Sequence, residues 1–299
     1  MPIIAFHGDS AVKAKALERL RHHIAAGSFI YFPAWEDGKA NVIGAVVGAD
    51  DTPAFAEMLG YPVALADTLP VLINGFRPQD EAERFAEAWL ERTPVGADLT
   101  WIVSQLILDL LNHPELTAMT ERHPNIEQAR QTIVALHDGA IKGAEPDRKM
   151  WKAARMAAVA ATDSLGETAL DRRAGQVIEA AAWPSTMRTV LRDTLTASGT
   201  LELYLDLARM GWTEEEESRV FHIRKQAEAD QYKAEFSGVG RVLAILDADH
   251  PALGDRFRMR LERVEASNQR YRTMGWKTIE MMERAPRAAE PSFHPMGLE

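Results

Sequence analysis

Residues 10–26 place Val12, Leu17, Leu20 and Ile24 at helical spacing, with Asp9 or Ser10 positioned to cap the start and Gly27 to end it. The pattern then changes. Two apolar runs, Ser28-Phe29-Ile30-Tyr31-Phe32 and residues 41–47, flank Glu36-Asp37-Gly38-Lys39. Asp-Gly between apolar runs predicts a tight β-hairpin, because glycine accepts positive φ. Gly44 and Gly48 have no side chain to pack, so another backbone or a ligand is expected close to the second strand. A lone hairpin is marginal in water, so it should pack on the first helix or gain a third strand at 63–65 or 71–73.

From Gln79 onward the 3.6-residue period dominates. Helices are expected near 79–92, 98–112, 125–142, 147–163, 167–182, 185–197, 200–210, 213–235, 239–248 and 252–284. The breaks include Pro94-Val95-Gly96, His113-Pro114, His123-Pro124, Trp183-Pro184, Gly199, Gly211 and His250-Pro251. The alanine-rich stretch 151–161 suits close helix packing, and no repeat period points to a solenoid. The expected fold is mainly α: a small N-terminal α+β unit with a β-hairpin (1–112), then an irregular multi-helix domain (113–285). A proline-rich tail (286–299) should lack regular structure unless a partner holds it.

Composition narrows the function classes. At 299 residues, 46% apolar and 26% charged, the chain is long enough for two packed units. The longest apolar run, 101–111, is interrupted by Ser104, Gln105 and Asp109, well short of the roughly 18 residues that span a bilayer. No membrane association is expected. The N-terminus has no basic region or long apolar region of a signal peptide, and the chain has no cysteine, so disulfides and thiol chemistry are excluded. A cytoplasmic location is expected. The net charge is −10, and residues 1–112 hold eight Lys/Arg against fifteen Asp/Glu, which disfavours nucleic acid there. Residues 241–272 run the other way, with seven Arg against five acids.

Phe6-His7-Gly8-Asp9, Val12-Lys13-Ala14-Lys15, Trp35-Glu36-Asp37-Gly38-Lys39, Leu59-Gly60-Tyr61-Pro62 and the stretch from Thr93 to Leu99 come in an order that resembles a family of uncharacterised bacterial and phage-associated proteins. The resemblance covers roughly residues 1–165, including a tryptophan-led, alanine-rich helix like 151–161. Members carry cysteines around the Val-Gly strand, near positions where this chain has Asn41 and Ala45, so no thiol role transfers. The resemblance implies one shared N-terminal unit and no particular activity.

Three groups of residues are candidates for chemistry. His7 and Asp9, just before a helix N-terminus, together with Glu36, Lys39 and the His22-His23 pair, could form a polar site for a small anion. The competing reading has Asp9 as a cap, Gly8 as a turn and the others solvated. Phe236-Ser237-Gly238-Val239-Gly240-Arg241 resembles the hairpin of helix-hairpin-helix DNA-binding proteins, including endonuclease III-like glycosylases, in which backbone N–H groups bind phosphate. It departs from them at Ser237, where proline is usual, and at Val242, where lyase-type members have lysine; Asp247, Asp249 and Asp255 come too early for the catalytic aspartate. The competing and preferred reading is a plain helical corner that needs the glycines for steric reasons. Finally, Arg256, Arg260, Arg263 and Arg270 share one helix face beside Phe257, Leu261, Val264 and Tyr271. That stripe could meet phosphates or an acidic partner, or be a solvated face with pairs such as Arg258–Glu262.

Thr213 followed by Glu214-Glu215-Glu216-Glu217 reads as a capped helix start with Glu216 completing a capping box. Four of the nine histidines precede proline, and no spacing suits a metal; no phosphate-loop, nucleophile-elbow or dinucleotide signature appears, so no metal or cofactor is expected. The leading expectation is a non-enzymatic protein–protein interaction protein of phage or mobile-element origin, with a protein partner or homo-oligomer. The alternative is a glycosylase-like DNA-binding protein using Gly238, Gly240 and the C-terminal basic helix. A third is a binder of a small anion near the N-terminal hairpin.

Overall fold

The structure, a computed structural model, describes residues 2–165, 169–229 and 238–287. Among these residues there are fourteen α-helices and one two-stranded antiparallel sheet, so the fold is mainly α with an N-terminal hairpin. A single left-handed turn, Ala5–Gly8, leads into α1 (Ser10–Ala25), whose start is capped by Asp9 accepting from the Ala11 N–H at 2.7 Å. The hairpin pairs β1 (Trp35–Glu36) with β2 (Lys39–Ala40), in register Trp35 to Ala40. Asp37 and Gly38 both take positive φ, 47° and 79°, as the mirror-image turn of a tight hairpin requires.

The strands are much shorter than expected. Residues 42–47 are a helix, α2 (Val42–Val47), because the Asn41 side chain accepts from the N–H groups of Ile43 and Gly44 and caps it. The first apolar run contributes only a bridge, Phe29 to Ala40. Gly44 does meet another backbone: a Cβ there would lie 1.8 Å from the Ala34 carbonyl oxygen. Gly48 instead ends α2 in the left-handed conformation, with nothing near it. The expected third strand is also absent. Residues 52–73 form α3 (Thr52–Leu59) and α4 (Val63–Ile73), and Leu65, Leu69 and Ile73 are fully buried.

Beyond α5 (Gln79–Arg92) and α6 (Ile102–Leu111) come α7 (Pro114–Thr120), α8 (Pro124–Ile141), α9 (Arg148–Asp163) and α10 (Ala169–Ala180). The remainder are α11 (Val190–Arg209), α12 (Glu214–Ala229), α13 (Gly238–Asp249) and α14 (Pro251–Glu283). The break expected at Gly199 does not occur, since α11 runs through it. Glycine costs a helix about 1 kcal/mol, and the burial of Leu195, Leu201 and Leu207 outweighs that. Among the described residues no single helix is long and apolar enough to cross a membrane.

The chain divides into two compact units, residues 1–198 with 270–299, and residues 199–269. No boundary falls at residue 112. There α8 packs on α6, and buried Arg130 of α8 donates to the Leu111 carbonyl at 3.2 Å and Asn112 at 3.0 Å. Nor is the end of α14 part of a separate helical domain: Ile279 and Met282 are fully buried, Lys277 pairs with Asp109, and Trp276 packs edge-on against Phe76 and Phe85. Beyond α14, the Asp98 N–H donates to the Pro286 carbonyl at 2.8 Å. Residues 288–299, most of the expected tail, lie outside the described residues. In the second unit Val220, Ile223, Val242, Leu246, Leu253 and Phe257 form the core.

Candidate functional site

The four N-terminal candidates are not brought together. Asp9 caps the start of α1, and His7 Nε2 lies 2.7 Å from the Glu57 carbonyl. Glu36 and Lys39 face each other across the hairpin, whose Trp35 packs against His23 in the last turn of α1, ring centroids 5.6 Å apart. A 16-residue helix is about 24 Å long, so the two pairs sit at opposite ends of it.

In the second unit, Gly238, Gly240 and Arg241 occupy the first turn of α13; Phe236 and Ser237 of the suggested hairpin lie outside the described residues. The arginine stripe is largely engaged. Arg260 makes two 2.8 Å bonds to Glu217, and Arg256 bonds Glu216 at 2.9 Å and the Gly211 carbonyl at 2.7 Å. Both guanidinium groups lie 5.8 Å from the Trp212 ring centre. Hydrogen bonding from Arg256 holds the Glu216 carboxyl near pKa 2. Arg258 pairs with Asp247 and Asp255 rather than Glu262, while Arg263 is exposed and Arg270 falls in the other unit. The Thr213–Glu216 capping box forms as expected: the Glu216 N–H donates to Thr213 Oγ1 at 3.2 Å, and the Thr213 N–H to Glu216 at 2.8 Å.

A concave site of a different kind lies in the first unit. Asp147 caps α9 by accepting from the N–H groups of Lys149 and Met150. Arg148, Trp151, Lys152 and Arg155 then follow at i, i+3, i+4 and i+7, one face of the helix. Opposite them, the segment after α10 supplies Trp183, Pro184, Thr186 and Met187, and the two sides enclose a pocket of about 480 Å³. That segment is anchored from below: buried Asp67 of α4 accepts from Arg188 and from Arg192, each at 2.7 Å. These charge-assisted bonds fix the approach to α11 and with it the pocket's far wall.

The electrostatics of this pocket are unusual. Arg155 stacks over the Trp183 ring at 4.3 Å, and among the described residues none of Arg148, Lys152 and Arg155 has a carboxylate partner. Arg148 lies in the first turn of α9, at the positive end of its dipole, where a cation is disfavoured by a few tenths to 1 kcal/mol. Lys152 and Arg155 follow it along the same face as like charges three and four residues apart. Glu145 is the single acid of the lining. The indole N–H of Trp151, a residue 4% exposed, has no hydrogen-bond partner. An anion would relieve the like-charge crowding, and the two indoles provide flat apolar surface.

Beneath Trp151 lies buried His137, its ring edge-on at 4.9 Å. Nε2 is 3.0 Å from the Ala181 carbonyl, which only accepts, so Nε2 carries the proton and Nδ1 accepts from Ser104 Oγ at 3.2 Å. This serine–histidine contact has the connectivity of a nucleophile and its base. Burial, however, pushes the imidazole pKa down to about 4, which makes it a weak proton acceptor at neutral pH. The pair is better understood as support for the pocket wall.

Sequence reasoning passed over this site. Its one local signal was Arg148, Lys149, Lys152 and Arg155 crowding the start of a helix whose one acid there is the cap, Asp147. The pairing of Arg155 with Trp183, 28 positions later, had no local signal. No cluster of three or more His, Asp or Glu side chains suited to a metal occurs among the described residues. Comparison with protein-family models, with curated proteins and with solved structures finds no match to this chain.

Proposed function

We propose that the chain is a binding protein whose pocket between α9 and the segment after α10 takes an organic anion with a flat or apolar body. The observation that carries this reading is the convergence of three cations lacking a carboxylate partner among the described residues with two tryptophans around one pocket of ligand size, in a chain of net charge −10. Titration calorimetry and tryptophan fluorescence with a panel of aliphatic and aromatic carboxylates and phosphates test it. The expected result is salt-sensitive binding that weakens tenfold or more in Lys152→Gln/Arg155→Gln and loses its fluorescence change in Trp183→Phe. Binding by no anion, or binding equal in the double variant, overturns it.

A second reading, in which the anion is an acidic side chain of a protein partner, is favoured by one observation. Met150, Met156 and Met187, on α9 and at the pocket, are exposed, and methionine suits adaptable protein-binding surfaces. This is the form the expected protein–protein interaction role takes here, and acidic peptides in the same panel separate the two readings.

A further inference from the structure

A second, more enclosed cavity of about 160 Å³ adjoins the pocket, and the two share Glu145 and Thr186 in their linings. Ile3, Pro62, Val63, Val103 and Ala140 give the inner cavity apolar walls. Two hydroxyls there are already engaged: Thr100 Oγ1 accepts from the Ile3 N–H at 2.8 Å, and Ser104 Oγ meets His137. Ser185 and Thr186 bring the remaining hydroxyls at the shared side.

Charge orients a ligand across this pair of cavities. Arg148, Lys152 and Arg155 line only the outer pocket, whereas Glu145 belongs to both. A carboxylate or phosphate at the junction meets Glu145. Moved outward it meets the cations, which leaves the junction and the inner cavity to an uncharged group. We propose that the ligand is a short-chain organic anion, its charged head among Arg148, Lys152 and Arg155 and its uncharged chain in the inner cavity. At roughly 30 Å³ per small group, the cavity holds a chain of about five heavy atoms. This inference rests on the outer pocket being an anion site.

The test is calorimetric titration of the full chain with straight-chain carboxylates from acetate to decanoate. Affinity should rise about fourfold per added methylene, then level off or fall beyond about six carbons. Ala140→Leu and Ser185→Leu narrow the inner cavity from two directions, so one remains informative if the other fails to fold. In either variant the chain-length dependence should flatten while the shortest carboxylates bind as to the unmodified chain. Binding that ignores chain length, climbs steadily to decanoate or is unmoved by both variants overturns the inner-cavity assignment and leaves the outer anion site standing. Binding by none of the series overturns the inner-cavity assignment, and the outer site falls with it only if the aromatic carboxylates and phosphates also fail to bind.

Discussion

Each unit of this protein sets arginines against a tryptophan. In the second unit Arg256 and Arg260 lie over Trp212, and Glu216 and Glu217 answer both charges while the Trp212 N–H donates to Glu217 at 2.7 Å. In the first unit Arg155 lies over Trp183, Arg148 and Lys152 join it, and no carboxylate among the described residues answers them. Residue type does not separate the two arrangements; counter-charge does. A helix start rich in glutamate closes the first cluster into structure. A helix start rich in lysine and arginine keeps the second open and borders it with a cavity. An arginine–tryptophan pair is therefore informative about function only once its acids have been located.

The comparison can be broken from several sides. The largest effect is expected at Trp151, which is both pocket wall and core: Trp151→Ala should cost about 3–5 kcal/mol in denaturant unfolding, whereas changes to the exposed cations leave the fold intact. A small loss at Trp151 would mean that the wall is not packed as described.

Acidification comes next. The His137 pKa falls from 6.5 unfolded to about 4 folded, so between those values the unfolded chain binds more protons. Stability is then full above pH 6.5 and declines as pH falls toward 4, by roughly 3 kcal/mol in all. His137→Gln should remove the slope in that window. The slope below pH 4.5, where Glu127, held near 2 by Arg130, and Glu216, held near 2 by Arg256, begin to contribute, should survive the change. Urea melts at intervals of half a pH unit read both windows.

A smaller effect separates the two clusters directly. A double-mutant cycle with Arg260→Gln and Glu217→Gln should show a coupling of about 1 kcal/mol, as expected of a bidentate, partly shielded pair. The smallest effect has the opposite sign. Arg148→Gln and Lys152→Gln should change stability by no more than about 0.5 kcal/mol each, toward greater stability, because Arg148 opposes the helix dipole at its N-terminus and Lys152 forms a like-charge i,i+4 pair with it. Destabilisation by either variant would reveal an acid partner and remove the contrast between the units.

Much of the helical framework was legible in the chain. The period and caps placed α1, α5, α8, α9 and α14 within a few residues of their observed ends, Asp37-Gly38 marked the hairpin turn, and Thr213 with Glu216 marked the start of α12. Among the misread segments are 41–47 and the third-strand candidates 63–65 and 71–73. Short, almost wholly apolar runs have no amphipathic period, so strand and buried helix look alike until neighbours are known. The arginine stripe was visible as a pattern, but its neutralisation was not, because Glu217 and Arg260 lie 43 positions apart.

The sequence by itself determined where the amphipathic, capped helices such as α1, α5, α8 and α9 begin and end, since caps, turns and periodicity act over three or four residues and need no distant partner. Tertiary structure decided the rest. It returns the end of α14 to the N-terminal helices, brings Trp183 to Arg155, and holds that wall in place through Asp67 from the far side of the unit. Whether a cation is satisfied or waiting for a ligand depends on which acids folding brings within about 4 Å, and that distance is set by packing between elements remote in sequence.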